Sequence, residues 1–136
     1  MKFKATLDQL HPMMDHISDK AAAAGFDEKE VQSIQLVAEE ALTNIIKYAY
    51  PESDEGNLLI LCSKKKNETF EIRLEDQGPP FNPFAELQEA DLETPVEDRP
   101  IGGLGLLMIQ TVMDQLEYKR ENDTNIVIMS KQHKVT

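Results

Sequence analysis

Apolar residues recur every three or four positions in two successive segments, as they do along one face of an α-helix. The first segment carries Leu10, Met13, Met14, Ile17, Ala21 and Ala24, and the second carries Val31, Ile34, Ala38, Ala41, Leu42, Ile45 and Ala49. We predict that Asp8 caps the first helix and that Gly25 ends it. Asp27, with Glu30 three residues later as in a capping box, begins the second helix, and Pro51 closes it.

Strands are predicted where apolar and polar residues alternate. A short edge strand covers residues 2–6, and two longer strands over 58–63 and 70–75 flank a turn at Asn67-Glu68. In the strand over 70–75 the apolar residues Phe70, Ile72 and Leu74 alternate with charged ones. This alternation indicates one buried face and one face in water, as in an antiparallel sheet that is covered on one side.

The segment over 77–105 has no such periodicity and holds five of the seven prolines and four of the six glycines. A long irregular stretch in a small domain is typical of a lid or a binding loop. A helix over 106–116 follows, and then a hairpin of strands over 117–121 and 125–131 that turns at Asn122-Asp123. The chain therefore predicts an α+β two-layer sandwich, a mostly antiparallel sheet with helices on one face.

Length and charge limit the organisation and the partners. The 136 residues are expected to form one domain over 1–136. A net charge of −11 argues against nucleic acid or an anionic membrane as the main partner, but not against a small anion bound by backbone amides. The single cysteine, Cys62, excludes an internal disulfide. No signal peptide or membrane-length apolar run is visible, so a cytoplasmic location is expected.

Glu40 and Asn44 are the first candidate functional pair. They lie four residues apart on the second helix and share a face at the border of its apolar stripe. A carboxylate at such a border could act as a general base, and an amide oxygen suits Mg²⁺. The alternative is a solvated helix face.

Asp76, Gly78 and the prolines after them form a second candidate, directly after a strand. A carboxylate at a strand end could accept a hydrogen bond from an exocyclic amine such as that of adenine, and Gly78 would allow a ligand to approach the backbone. The alternative is an ordinary turn, since Asp, Gly and Pro are common turn residues.

Glycines precede the predicted third helix in the string Gly102-Gly103-Leu104-Gly105. Exposed backbone amides at a helix N-terminus can bind an anion, and the alternative is a hinge that only starts the helix. The string is not a Walker P-loop, because no Gly-Lys-Ser or Gly-Lys-Thr follows.

The order of these three motifs strongly resembles the ATP-binding fold shared by gyrase, the 90-kDa chaperone, histidine kinases and mismatch-repair ATPases, called the GHKL or Bergerat fold. Within that superfamily the chain resembles the small anti-sigma-factor serine kinases over about residues 5–131. The motifs that carry the resemblance are Glu40-Ala41-Leu42-Thr43-Asn44, Asp76-x-Gly78-x-x-Phe81-x-Pro83 and Gly103-x-Gly105-Leu106.

The resemblance implies a role for individual residues. Glu40 would be the general base for the acceptor hydroxyl, and Asn44 would hold the Mg²⁺ that bridges the phosphates of ATP. Asp76, with Gly78 beside it, would bind the adenine amino group. The amides of Gly103, Leu104 and Gly105 would bind the phosphates, and Thr124 would support the adenine contact.

The chain departs from the family pattern at several positions. Tyr48 stands where family members often have His, and the nearest basic residue before the glycines is Arg99. Arg99 would reach the γ-phosphate, or would pair with a neighbouring acid instead. Lys47 is expected at the surface or facing the phosphates. The lid over about 84–103 is rich in acidic residues and is expected to become ordered with Mg²⁺ or a partner, unless it is only a solvated loop.

By resemblance, the chain is expected to be an ATP-dependent protein-serine kinase and anti-sigma factor. It would phosphorylate a serine of a small anti-sigma-antagonist protein, bind a sigma factor and form a homodimer, with residues 1–20 in the interface. The alternative is an ATP-binding switch module with little kinase activity. An isolated histidine-kinase domain fits less well, because one helix alone precedes the helix of Glu40. A gyrase-like ATPase would need a further domain.

Overall fold

The computed structural model describes residues 1–49, 56–84 and 103–133. Its elements come in the predicted order. They are β1 (Lys2–Lys4), a 3-10 turn (Leu7–Gln9), α1 (Leu10–Ala23), α2 (Glu28–Ala49), β2 (Asn57–Lys64), β3 (Thr69–Asp76), α3 (Gly103–Val112), β4 (Gln115–Glu121) and β5 (Thr124–Gln132).

The five strands form one sheet in the order β1-β2-β3-β5-β4, and every neighbouring pair is antiparallel. Apolar side chains on one face of the sheet share a core with the helices, among them Ile60 and Ile72 from the sheet, Ile17 from α1 and Leu42 from α2. Charged residues such as Glu71 and Arg73 alternate with these along β3 and lie half-buried on the other face. The predicted α+β two-layer class is therefore confirmed.

The junction between α1 and α2 follows the predicted capping residues. Gly25 has φ +109, a left-handed conformation that favours glycine, and the Gly25 amide donates to Ala22 O over 3.1 Å. The Asp27 carboxylate then accepts the amide of Glu30 over 2.8 Å and so caps α2. These two bonds stop one helix and begin the next within a few residues.

Both predicted hairpin turns are present. Glu68 between β2 and β3 has φ 65, and Asn122 and Asp123 between β4 and β5 have φ 52 and φ 59. Two successive positive φ values are typical of a type I′ turn, whose twist matches that of the flanking strands. The turns fix the registers of the β2–β3 pair and of the β4–β5 pair.

Three predicted boundaries are wrong. Asp8 does not cap α1, because it lies in the 3-10 turn and accepts a hydrogen bond from the Thr6 hydroxyl. The first strand is shorter than predicted and ends at Lys4. The third helix covers Gly103–Val112 rather than 106–116, because the Asp114 amide already donates to Ser130 O in the sheet over 2.8 Å.

Candidate nucleotide-binding site

Glu40 and Asn44 meet on α2 as predicted. The Asn44 Nδ2 group donates a hydrogen bond to Glu40 Oε1 over 3.4 Å. Both side chains are half-buried, and their neighbours Ala41 and Ile45 lie in the core. Because the amide nitrogen of Asn44 faces Glu40, its oxygen remains for another partner. The pair therefore presents one carboxylate and one amide oxygen at the border of the apolar face.

Asp76 is the last residue of β3, and its carboxylate is almost fully buried, with 4% of the residue exposed. Its Oδ1 accepts the backbone amide of Gly78 over 2.9 Å, which folds the chain sharply after the strand. A buried carboxylate is costly unless it is hydrogen-bonded, so the strand end is built to hold this group. Asp76 and Gly78 thus come together as the sequence predicts.

Asn125 is a site residue that the sequence analysis missed. It is directly opposite Asp76 in the pairing of β3 with β5 and is 1% exposed. Its Nδ2 donates to Asp76 Oδ1 over 3.0 Å and to Pro79 O over 2.8 Å. Its Oδ1 accepts the amide of Phe81 over 3.3 Å. One side chain therefore ties the carboxylate to the loop that follows it.

Tyr118 and Arg120 of β4 complete this polar cluster. The Tyr118 hydroxyl donates to Asn125 Oδ1 over 2.6 Å, and Arg120 Nη1 donates to the same oxygen over 3.0 Å. Arg120 Nη1 also lies 3.0 Å from the carbonyl oxygen of Gly78, to which it donates. A signal for this cluster existed in the sequence, since the three residues alternate along the predicted hairpin, but their register with Asp76 is visible only in the fold.

Gly103, Leu104 and Gly105 lie in the first turn of α3 rather than ahead of the helix, because α3 begins at Gly103. The first four amides of a helix have no partner within it, so the amides of Gly103, Leu104 and Gly105 belong to the set that can bind an anion. The helix α3 packs against α2, which carries the Glu40–Asn44 pair. This packing is consistent with the predicted grouping of phosphate amides and metal ligand.

One predicted residue stands apart from these groups. The Thr124 hydroxyl donates to Asn122 O over 3.2 Å. Thr124 precedes Asn125, and successive strand residues face opposite sides, so Asn125 and not Thr124 faces the Asp76 carboxylate across the strands. Both Thr124 and Asp76 nevertheless line a pocket of about 160 Å³. Arg99 and most of the predicted lid lie outside the described residues.

The described residues limit how a metal ion could be held. Among them, no group of three or more His, Cys, Asp or Glu side chains could ligate one. Asn44 and Glu40 supply oxygens of the kind that Mg²⁺ prefers, and Mg²⁺ in nucleotide sites takes further ligands from phosphates and water. The donor set therefore fits a magnesium ion that arrives with a nucleotide. None of the described helices has the length and apolar character needed to cross a bilayer.

The helix-covered antiparallel sheet, the Glu–Asn pair on α2 and the buried carboxylate at the end of β3 define the GHKL class of ATP-binding domains. The family model described as "Histidine kinase-like ATPase domain" matches residues 3–131. The chain belongs to this family. The resemblance found in its sequence motifs is thereby confirmed.

Named relatives show which members of the family the chain is similar to. The chain is 32% identical to the serine-protein kinase RsbW of Halalkalibacterium halodurans over 118 residues, which cover 85% of this chain and 70% of the relative. It is 28% identical over 131 residues to the serine-protein kinase RsbW of Bacillus cereus, with 94% of this chain and 81% of the relative covered. The part of the family that this chain resembles thus includes the serine-protein kinases named RsbW.

Solved structures share the fold at lower identity. The histidine kinase domain of the blue-light activated kinase from Erythrobacter litoralis EL346 superimposes with a TM-score of 0.56 at 16% identity, covering 90% of this chain and 60% of that one. The mycobacterial sensor histidine kinase MprB gives 0.53 at 13% identity, covering 96% of this chain and 97% of that one. At these identities the likeness establishes the architecture alone.

Proposed function

We propose that this chain is an ATP-dependent protein-serine kinase and anti-sigma factor that phosphorylates a small anti-sigma-antagonist protein. The observation that carries the proposal is the Glu40–Asn44 pair on α2, in which a carboxylate lies against an amide that has an oxygen for Mg²⁺. Relatives named as serine-protein kinases that align over most of the chain support the same activity.

Phosphoryl transfer requires a proton acceptor beside the attacking hydroxyl, and Glu40 is the residue we assign to it. A serine oxygen of the antagonist attacks the γ-phosphorus of ATP, the bond from that phosphorus to the bridging oxygen of ADP breaks, and the serine proton passes to the Glu40 carboxylate. Most of the catalysis comes from positioning and charge neutralisation. A half-buried carboxylate at the edge of a core is suited to this role, because its position is fixed by the helix.

The nucleotide would be held at three places. Asp76 accepts the adenine amino group, beside Gly78, and the amides of Gly103, Leu104 and Gly105 bind the phosphates. Asn44 is the ligand for Mg²⁺, which neutralises phosphate charge when it is bound. Thr124 would support the adenine contact from the same pocket, with its hydroxyl donating to Asn122 O.

The lid over about 84–103, including Arg99 as a γ-phosphate contact, remains a proposal from the sequence. Six acidic residues and no basic one between Glu86 and Asp98 would repel ATP without Mg²⁺. Limited proteolysis with and without Mg-ATP tests the lid. We expect slower cleavage within 84–103 in the presence of Mg-ATP, and equal cleavage in both samples would contradict the proposal.

The proposed partners are the antagonist, which supplies the phosphoacceptor serine, and a sigma factor, in the cytoplasm. We also propose a homodimer with residues 1–20 in its interface. Met1 and Leu7 support this, because they leave 61% and 64% of their surfaces exposed in that segment. Light scattering of the purified chain tests the dimer, and a monomer at micromolar concentration would contradict it.

The kinase proposal is tested by incubating the chain with labelled ATP and candidate antagonist proteins. We expect serine label on the antagonist, and we expect Glu40→Gln to lower the transfer rate by about 10²–10⁴ while ATP binding measured by calorimetry stays nearly the same. Glu39→Gln is the matched control, because Glu39 is the exposed neighbour on α2. ATP binding without label would favour a switch module, and normal transfer by Glu40→Gln would refute the role of Glu40.

A further inference from the structure

The helix α3 depends on the rest of the fold for its order. It has ten residues, and an isolated helix shorter than about 12–15 residues is marginal in water. Gly103 and Gly105 lie in its first turn, and glycine is among the least favourable residues in a helix. Ile109 of α3 and Met113 just after it are buried in the core, and the helix packs against α2. The position of α3 is therefore set by its tertiary contacts.

Three hydrogen bonds tie the C-terminal end of α3 to the end of β5. Lys131 Nζ donates to Val112 O over 2.9 Å, and the Asp114 amide donates to Ser130 O over 2.8 Å. The Asp114 carboxylate in turn accepts the amide of Gln132 through Oδ2 over 2.7 Å. These bonds, which we call the β5 anchor, join the last residue of α3 and the second residue after it to three successive residues of β5.

Lys131 has an unusual position for a lysine. It follows the buried residues Val127 and Met129 at alternate positions of β5, so it lies on the face of the sheet that the helices cover. α3 has no basic residue in its own last turn. Lys131 thus supplies a positive charge where the carbonyl groups of a helix end favour one, and it satisfies a carbonyl that has no partner within the helix.

The β5 anchor and the proposed phosphate amides lie at opposite ends of one short helix. Ten helical residues span about 15 Å, from Gly103 at one end to Val112 at the other. Because hydrogen-bonded helical residues move together, a shift or rotation at the C-terminal end also displaces the amides at the N-terminal end. The first turn carries no acidic residue, so no carboxylate of that turn would oppose a phosphate there.

We propose that Lys131 and Asp114 are positioning residues for phosphate binding. By fixing the C-terminal end of α3 on β5, they determine where the amides of Gly103, Leu104 and Gly105 lie. This inference rests on the proposed nucleotide site. It goes beyond that site in assigning part of the affinity for the phosphates to a contact about 15 Å away, at the far end of the helix.

Lys131→Met is the main test, because it removes the ammonium group and keeps most of the apolar stem. Calorimetry is expected to show Mg-ATP affinity about tenfold lower, as for loss of one hydrogen bond from a charged donor. Hydrogen-exchange mass spectrometry at saturating Mg-ATP gives the local readout. In the wild type Mg-ATP should slow exchange over both 103–105 and 76–81, whereas in the variant it should slow exchange over 76–81 alone.

Two variants serve as controls. Lys131→Arg keeps a charged donor and should restore most of the affinity and the protection over 103–105. Lys119→Met removes the same charge from the other face of the sheet, where Lys119 Nζ lies 3.8 Å from Glu121, and should change neither. Wild-type affinity and protection in a folded Lys131→Met would overturn the proposal. An equal loss of protection over 76–81 would overturn it too, because the effect would then be general.

Asp114→Ala gives a second test at an exposed position, which decides the question if Lys131→Met does not fold. It removes the acceptor for the Gln132 amide and should lower Mg-ATP affinity by about threefold, with the same local loss of protection over 103–105. Asp114→Asn keeps an oxygen acceptor and should behave nearly as the wild type. Unchanged binding by Asp114→Ala, or an equal loss in Asp114→Asn, would overturn the proposal. Absence of Mg-ATP binding by the wild-type chain would instead refute the proposed function, and this inference with it.

Discussion

Replacing Gly25 by alanine is expected to destabilise the fold through two separable effects. The first is backbone strain, because Gly25 has φ +109, where an L-residue is disfavoured by about 1–3 kcal/mol. The second is contact with His133, whose Cε1 would lie 2.9 Å from the new Cβ. Alanine also reduces the entropy of the unfolded chain, which raises the free energy of unfolding by about 0.4–1 kcal/mol.

The His133 ring cannot move aside freely. It packs edge-on against Phe26, with ring centroids 5.0 Å apart at 69°, and Nδ1 is buried. Displacing the ring loses an aromatic contact of about 0.5–1.5 kcal/mol. Strain, entropy and ring displacement together predict a net loss of about 2 kcal/mol in the free energy of unfolding, which is a large part of the stability of a small domain.

A double-mutant cycle with His133→Ala separates the two effects, using urea unfolding of the four proteins. With the ring absent, the steric effect disappears and Gly25→Ala should cost about 1 kcal/mol less than it does in the wild type. Additive effects of the two substitutions would refute the contact between Gly25 and His133. A stabilising Gly25→Ala would refute the left-handed conformation itself.

Three further predictions concern ionisable side chains. Asp76→Asn keeps an oxygen for the Gly78 amide but offers the adenine base an NH₂ group in place of an acceptor. Calorimetry should show Mg-ATP binding weakened by roughly 30-fold or more, and unchanged binding would contradict the proposed adenine role of Asp76. Burial raises the pKa of the Cys62 thiol to about 11. The rate of Cys62 alkylation in the folded chain should therefore keep rising up to that pH, and a rate that levels off near pH 9 would contradict the raised pKa. The hydrogen bond from Lys64 lowers the pKa of Glu68, so Lys64→Met should destabilise the chain more at neutral pH than below about pH 4, where protonation of Glu68 removes the ion pair and only the bond from Lys64 Nζ to Ala24 O remains to be lost. Urea unfolding at both pH values checks this, and a pH-independent difference would contradict it.

Features that depend on residues close in sequence were predictable. The Glu40–Asn44 contact follows from four-residue spacing on one helix, and the turn at Asn122-Asp123 follows from residue types that tolerate positive φ. The end of α3 was misplaced because Leu116 continues the apolar pattern of the helix, although it pairs with Met129 in the sheet. Local periodicity alone cannot tell which of these two environments buries such a residue.

The Asp76 end of the proposed site shows where sequence reasoning stops. Thr124 and Asn125 are adjacent and both polar, and a shift of one residue in a strand moves a side chain to the opposite face. The choice between them depends on the pairing of Asp76 with Asn125, which are 49 positions apart in the chain. Nothing local in the sequence specifies that register, so the residue beside the carboxylate had to come from the fold.

The polar cluster at this end of the sheet also bears on why the fold tolerates a buried carboxylate. Asp76 and Asn125 are 4% and 1% exposed, and burying such groups costs free energy unless every lone pair and donor is used. Here the protein bonds Oδ1 of Asp76 twice, through the Gly78 amide and Asn125 Nδ2. A ligand that donates to the same carboxylate would therefore add a further hydrogen bond to a group whose burial is costly. Because such a ligand binds the folded chain and not the unfolded one, its binding must also stabilise the fold.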